Sequence, residues 1–431
     1  MAGIAELRRM IDTAGGRERI AKIYGKPAEA LGPETARLKK ILEGFERVFP
    51  GNQSGEAVLC TAAGRTEVGG NHTDHQRGRV LAASVSLDAA ALAAPNGGTT
   101  ARLYSAGYGM VEVATDALEV VPAEMNSTKS LVRGILARAE QLGYPLTGFD
   151  AYIQSNVPGG SGLSSSACYE VLVGVIVNRL FCRQELTLTE IAQMGQYAEN
   201  VYFGKPSGLM DQMACALGGI VSIDFKDKEH PLTHRIDFDF GSAGHALCII
   251  DTGADHADLT GDYGAVPAEM GQVAAILGRE VLSEVDPRDF YDAMPYLRRK
   301  VGDRAVLRAV HYFDDVARVD REAEALERGD FPEFLRLVTE SGISSFTYLQ
   351  NVATYRDPRE QPVAVALARA QHLLAGRGAY RVHGGGFAGT IQAFVPEDLL
   401  EEFCIGMDAL LGKGACQVMT IRPAGGAVLL D

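Results

Sequence analysis

The spacing of apolar residues divides the chain into a helical opening, a strand-rich middle and a mixed second half. Ile4, Leu7 and Ile11 recur on one helical face, as do Leu38, Ile41, Leu42 and Phe45, so helices are predicted across the first 50 residues. The period then changes. Residues 56–65, "EAVLCTAAGR", read as a short strand that runs into a loop. Residues 78–96 and 101–114 alternate and are bounded by Asn-Gly-Gly and glycines, which predicts strands. Residues 127–143 begin on a Ser/Thr cap and stop at Gly143, a helix. Residues 149–181 read as strand, glycine loop and a helix that is apolar nearly all round, and therefore buried. "HALCIIDTG" (245–253) is a buried strand, and helical periodicity dominates 266–341. A helix and hairpin strands follow over 362–396, then a helix at 397–412 and a strand at 415–423. This order predicts an α+β fold. A chain of 431 residues is long for one core, so two domains are expected, 1–237 and 238–431, packed together because no low-complexity linker separates them.

Charge and cysteine usage narrow the function. A net charge of -14 repels phosphate backbones and argues against nucleic acid as a partner. A nucleotide is still compatible, because backbone N–H groups and a metal ion override net charge locally. No apolar run is long enough for a membrane helix, and the first residues lack a signal-peptide core. Seven cysteines without CxxC spacing predict reduced thiols and a cytoplasmic location.

Three glycine-rich stretches hold the candidate chemistry. "GRTEVGGNHTDH" (64–75) gathers two histidines, two carboxylates, an arginine and an amide around three glycines, a density of hydrogen-bonding groups suited to a sugar. "PGGSGLSSSA" (158–167) lies between a predicted strand and helix, where backbone N–H groups and a helix N-terminus hold an anion. It lacks the lysine of a Walker A loop. "HGGGFAG" (383–389) joins two predicted strands, and by itself reads as a hairpin. Ser207-Gly208-Leu209-Met210-Asp211-Gln212 places an acid in a poor setting for a helix surface.

Together these blocks resemble the GHMP kinases, and within them the galactokinases, over about residues 40–430. The first matches G-R-V-N-L-I-G-E-H-T-D-Y at Gly64, Arg65, Gly70, His72, Thr73 and Asp74. The second matches P-x-G-G-G-L-S-S-S-A. "AENVYFGKPSGLMDQ" resembles A-E-H-x-F-x-G-x-P-C-G-I-M-D-Q, and the third loop matches G-G-G-F-G-G apart from Ala388. The resemblance implies a two-domain α+β fold with the active site in the cleft between the domains. It implies ATP- and Mg²⁺-dependent phosphorylation of a sugar at its anomeric hydroxyl, with galactose the preferred substrate, by a monomer or weak homo-oligomer. Asp211 would be the catalytic carboxylate and Arg65 its partner. Gly159, Gly160, Ser161, Gly162, Leu163, Ser164 and Ser165 would hold the ATP phosphates, and Ser166 and Glu199 the Mg²⁺. Asn71, His72, Asp74, Gly208 and Tyr263 would line the sugar pocket.

Three departures from the signature change its polar chemistry. Asn71 stands where it has Glu, Glu67 where it has Asn, and His75 where it has Tyr. In galactokinases the replaced Glu contacts the sugar near C6. Asn71 both donates and accepts, and His75 would add a positive charge, so a galacturonate 1-kinase is a rival reading. Plant galacturonic-acid kinases carry a similar Asp-His-Gln run. A catalytically silent sugar sensor is the alternative from another class, and the intact Arg65, Ser166, Glu199 and Asp211 argue against it.

Overall fold

The computed structural model describes every residue except 53–54, 160–161, 255–258 and 355–357. Gly160 and Ser161 of the second glycine loop therefore lie outside the described residues. Two sheets organise the chain. The first contains β1 (Val58–Gly69), β2 (Arg79–Pro95), β3 (Thr100–Ser105), β4 (Gly109–Ala114), β5 (Phe149–Ser155), β6 (Ile220–Asp224) and β7 (Leu232–Ile236). The second contains β8 (His245–Asp251), β9 (Ala379–His383), β10 (Thr390–Pro396) and β11 (Cys416–Met419). The last strand, β12 (Ala427–Leu430), returns to the first sheet and pairs with β1. The strand orders are β12-β1-β2-β5-β3-β4, with β6 and β7 joined through β2, and β11-β8-β10-β9.

β2 holds the first sheet together because it is long enough to serve two neighbours on one side. Residues Ala89–Pro95 pair with β5, and Arg79–Ala83 pair with β6. Its ladder with β1 shifts register between Ala63 and Arg65 and again between Glu67 and Gly69. Such bulges bend a strand and re-aim its side chains. The predicted loop from Gly64 is thus strand as far as Gly69, because β1 stays paired with β2 through Gly69↔Leu81.

Helices Ile4–Met10, Ala14–Tyr24 and Gly32–Val48 cover one face of this sheet, burying Leu38, Ile41, Leu42 and Phe45 as their period requires. Ser165–Leu180 is buried along nearly its whole length, consistent with its lack of a polar face. In the second half, Asp303–Glu327 packs across β1 and β2, and Pro362–Leu374 and Leu400–Leu411 cover the smaller sheet. Leu247, Ile249 and Phe394 of the second sheet share one apolar core with β1, β2 and β5. Position 237/238 falls between β7 and β8.

One buried acid braces the end of β1 that leads into the first glycine loop. Glu322 is fully buried, and neither carboxylate oxygen has a hydrogen-bond partner among the described residues. It packs against Gly69, where a Cβ would run into Oε2. Burial, with the charge of Asp315 adding to it, pushes the Glu322 carboxyl up to about 8, so it is protonated at neutral pH. The unfolded chain releases that proton near the usual carboxylate range of about 4.3. Between these values the native state binds more protons than the unfolded state, so stability falls as pH rises through the interval. Glu322→Gln is expected to flatten this part of the pH profile and to stabilise the protein above pH 8 by roughly 2–5 kcal/mol. Urea melts of both proteins across the interval measure the effect. A variant no more stable than wild type above pH 8 would mean that the carboxyl is already ionised or solvated.

Candidate active site

A cavity of 1260 Å³ opens at the end of β1, where the turn around residues 198–211 and the third glycine loop converge. Arg65, His72, Asp74, Glu199, Gly208, Asp211 and Tyr263, all expected from the sequence, line it. Arg65 is 5% exposed, so its charge needs a partner, and its Nε donates to Asp211 Oδ1 at 2.8 Å. The same guanidinium donates to the Gly162 carbonyl, and the Ser164 hydroxyl donates to Asp211 Oδ2. The second glycine loop is thereby tied to the Arg65–Asp211 pair. Burial works to raise the Asp211 pKa, but Arg65, Ser164 and Lys205 outweigh it and hold the carboxyl below its usual range. Asp211 is therefore a carboxylate at neutral pH.

Ser164 adopts a left-handed backbone, φ +54°, immediately before the helix Ser165–Leu180. Its bond to Asp211 places the N-terminus of a 16-residue helix beside that carboxylate. Gly159 and Leu163 lie on the approach to that turn, and Leu163 is buried, its carbonyl accepting from the Arg65 N–H at 3.2 Å.

Glu199 is buried, not a surface acid, because a π-helical turn at Ala198–Phe203 directs it inward. Its Oε1 lies 3.5 Å from the Ser166 hydroxyl, and its Oε2 accepts from Ser207 (2.6 Å) and Gln212 (3.0 Å). Gln212 also donates to Glu170, whose carboxyl is pushed well up by burial and by Glu199. Adjacent ligands of an octahedral Mg²⁺ stand about 3 Å apart, so the Ser166 and Glu199 oxygens suit a hard cation. Lys205, to which sequence reasoning gave no role, also lines the cavity, with Nζ 3.5 Å from Glu199 Oε1. Burial opposes its charge, but Glu199, Asp211 and Glu170 prevail and raise its pKa. Its only signal in the sequence was a cation inside the "FGKPSG" turn.

On the side of the first glycine loop, Asp74 packs against the backbone at Gly208, where a Cβ would run into Oδ2. Burial, then the charge of Asp211, raises the Asp74 carboxyl to about 6. His72 Nε2 donates to the Gly385 carbonyl at 2.9 Å, and Tyr263 Oη donates to the Gly386 carbonyl at 2.7 Å. The third glycine loop is thus part of this wall. Burial holds His72 down at about 4 and His75 well below the usual imidazole range. The positive charge expected of His75 is therefore absent at neutral pH.

Asn71 departs from expectation more sharply. It is fully buried and lies behind the cavity wall, with both amide hydrogens and its carbonyl oxygen engaged. Nδ2 donates to Glu67 Oε1 (2.9 Å) and to the Gly384 carbonyl (2.7 Å), while Oδ1 accepts from Asn351 (2.8 Å) and Ser345 (3.2 Å). Its backbone donates to Asp315 and accepts from His311, each at 2.8 Å. The lining residue at this corner is Glu67, which is 2% exposed and paired with Arg381. Burial raises the Glu67 carboxyl to about 7 against the pull of Arg381 and Arg65. Arg381 stands 314 residues from Glu67, and no local pattern announces it.

Comparison with known proteins agrees with this geometry. Residues 43–95 match the galactokinase galactose-binding signature, and residues 130–219 match the GHMP kinases N-terminal domain. A galactokinase of Streptomyces coelicolor is 30% identical over 393 residues, covering 89% of this chain and 96% of that protein. One from Streptomyces lividans is 32% identical over 338 residues, covering 77% and 80%. The crystal structure of Lactococcus lactis galactokinase complexed with galactose superposes with a TM-score of 0.76 at 24% identity, covering 91% of this chain and 99% of that one. A mevalonate kinase structure shares the fold at a TM-score of 0.59 and 16% identity, covering 85% and 99%. With its motifs in register and these relatives matched along 96% and 80% of their length, the chain belongs to the galactokinase family of GHMP kinases.

Proposed function

We propose that this chain transfers the γ-phosphoryl group of ATP to the anomeric hydroxyl of galactose. The observation that carries the reading is the contact of Ser164 and Gly162 with the Arg65–Asp211 pair. It brings a phosphate-holding loop against a carboxylate that can receive a hydroxyl. The N-terminal N–H groups of Ser165–Leu180 and the glycine loop would cradle the phosphates, with Lys205 facing them as a cation. Ser166 and Glu199 would hold Mg²⁺, which supplies charge neutralisation at the phosphate oxygens. Asp211 orients the sugar hydroxyl and accepts its proton as the O–P bond forms. Arg65 keeps Asp211 ionised and adds positive charge beside the moving phosphoryl group. Asp74, His72 and Tyr263 offer an acceptor and two fixed polar edges to the remaining hydroxyls.

The corner assigned to C6 favours a neutral sugar. With His75 uncharged and Glu67 lining the cavity, a 6-carboxylate would meet the Glu67 carboxyl, which is ionised only in part at neutral pH. Where Glu67 is ionised, two such charges about 4 Å apart repel by ~4 kcal/mol at an effective dielectric of about 20, so the bias against a 6-carboxylate grows as pH rises through about 7. Galactose is therefore supported over galacturonate.

Glu67 and Asn71 hold the amide and the acid of the family signature in exchanged places. A carboxylate at 71 could not donate to Glu67 or to the Gly384 carbonyl, so the acid at 67 requires an amide at 71.

Wild-type enzyme is expected to release ADP with galactose, and galacturonate to be poorer in kcat/KM by a factor that grows with pH and reaches ~100-fold above about pH 8, where Glu67 is ionised. Asp211→Asn is expected to lower kcat by about 100-fold or more while the KM for ATP stays near wild type. A coupled ADP assay over a sugar panel reads both. Preference for galacturonate would overturn the neutral-sugar reading, and silence with every aldose would overturn the kinase. Asn71→Glu alone is expected to destabilise the protein by about 3 kcal/mol or more, because it sets two buried carboxylates together. The double variant Glu67→Asn/Asn71→Glu is expected to recover at least half of that loss and of the galactose turnover. Asn71→Glu as stable and active as wild type would show that position 71 does not depend on Glu67.

A further inference from the structure

Seven cysteines scattered through the sequence gave no pattern, yet folding brings three of them together. Cys248 lies on β8, Cys416 on the edge strand β11, and Cys404 on the helix Leu400–Leu411 that covers this sheet. Cys416 stands opposite Ile250 in the ladder, and Ile250 shares a face with Cys248 two residues before it, so both thiols point towards the helix. All three sulfurs lie within 4.8 Å of one another, and those of Cys404 and Cys416 are 3.4 Å apart. A triangle of about 4 Å side has its centre ~2.3 Å from each corner, which is the Zn–S bond length. Cys248 is buried, whereas Cys404 and Cys416 are half-buried at the sheet edge, so an ion has a way in.

Asp408, one turn after Cys404, accepts from the Gly414 N–H (2.8 Å) and the Cys416 N–H (3.0 Å). These bonds fix the turn that delivers Cys416 to the cluster. The carboxylate is thereby spent on the backbone, and no fourth His, Cys, Asp or Glu joins the group among the described residues.

We propose that Cys248, Cys404 and Cys416 form a three-thiolate site for a thiophilic d¹⁰ cation, Zn²⁺ or Cu⁺, that clamps the covering helix to the edge of the second sheet. Soft thiolates select these ions over Mg²⁺. Three ligands in a near-trigonal array suit Cu⁺ directly, and Zn²⁺ would take a water as its fourth ligand. Binding releases the thiol protons and stabilises the folded state by an amount that grows with the logarithm of free ion concentration over its dissociation constant.

The test uses the full-length, fully reduced protein, titrated separately with Zn²⁺ and with Cu⁺ against a chelator of known affinity, with bound metal counted by elemental analysis. One ion of either kind per chain is expected, together with a rise in the thermal midpoint. Cys404→Ser and Cys416→Ser are each expected to weaken binding at least ~100-fold, leaving galactose turnover unchanged. Asp408→Ala is expected to weaken it about tenfold or more, with the three thiols still titratable, as a positioning residue would. Failure of the reduced protein to take up either ion stoichiometrically overturns the proposal, as does uptake that survives both cysteine substitutions. Formation of a Cys404–Cys416 disulfide by protein that binds neither ion would assign the cluster to thiol oxidation instead.

Discussion

A buried arginine must find a carboxylate, and the geometry of this cleft follows from that requirement at Arg65. Removing one member of a buried pair strands the other charge at a cost of about 3–5 kcal/mol. The pair therefore constrains three pieces of chain at once: the bulged strand β1, the helix that carries Asp211, and the glycine loop held through Gly162 and Ser164. The arrangement that satisfies Arg65 also keeps Asp211 ionised next to a helix N-terminus. Stability and chemistry use the same contacts.

A second network lies behind the cavity wall. Asn71 joins the first and third glycine loops to the long helix Asp303–Glu327 and to the turn at residues 345–351. The backbone serves the helix, and the side-chain amide serves the other two segments because it donates and accepts at once. Glu67 stands in front of it, held by Arg381, and faces the cavity. Behind both, Glu322 fills the space over Gly69 in its protonated form.

Much of this was legible in the sequence. The helical period of residues 38–45 and the buried helix at 165–180 were both readable, and both segments pack on the first sheet. The glycine blocks brought Arg65, His72, Asp74, Glu199, Gly208, Asp211 and Tyr263 to one cavity. What was not legible depended on contacts distant along the chain. Asn71 read as a pocket residue because its neighbours in sequence line the pocket, but its partners at 315, 345, 351 and 384 turn it inward. His75 read as a cation because burial cannot be seen in a loop. β12 escaped notice because four residues near the end of the chain carry too short a pattern, and only pairing with β1 makes them a strand. The cysteine cluster is hidden for the same reason, with its members 156 and 12 residues apart.

The account is tested most directly by a crystal structure of the protein with galactose and a non-hydrolysable ATP analogue. It predicts the anomeric hydroxyl within about 3 Å of Asp211, the γ-phosphate beside Arg65, and the C6 end of the sugar at Glu67 with Asn71 still buried behind it. A sugar whose anomeric hydroxyl points away from Asp211, or whose C6 end is met by Asn71 turned into the cavity, would contradict it.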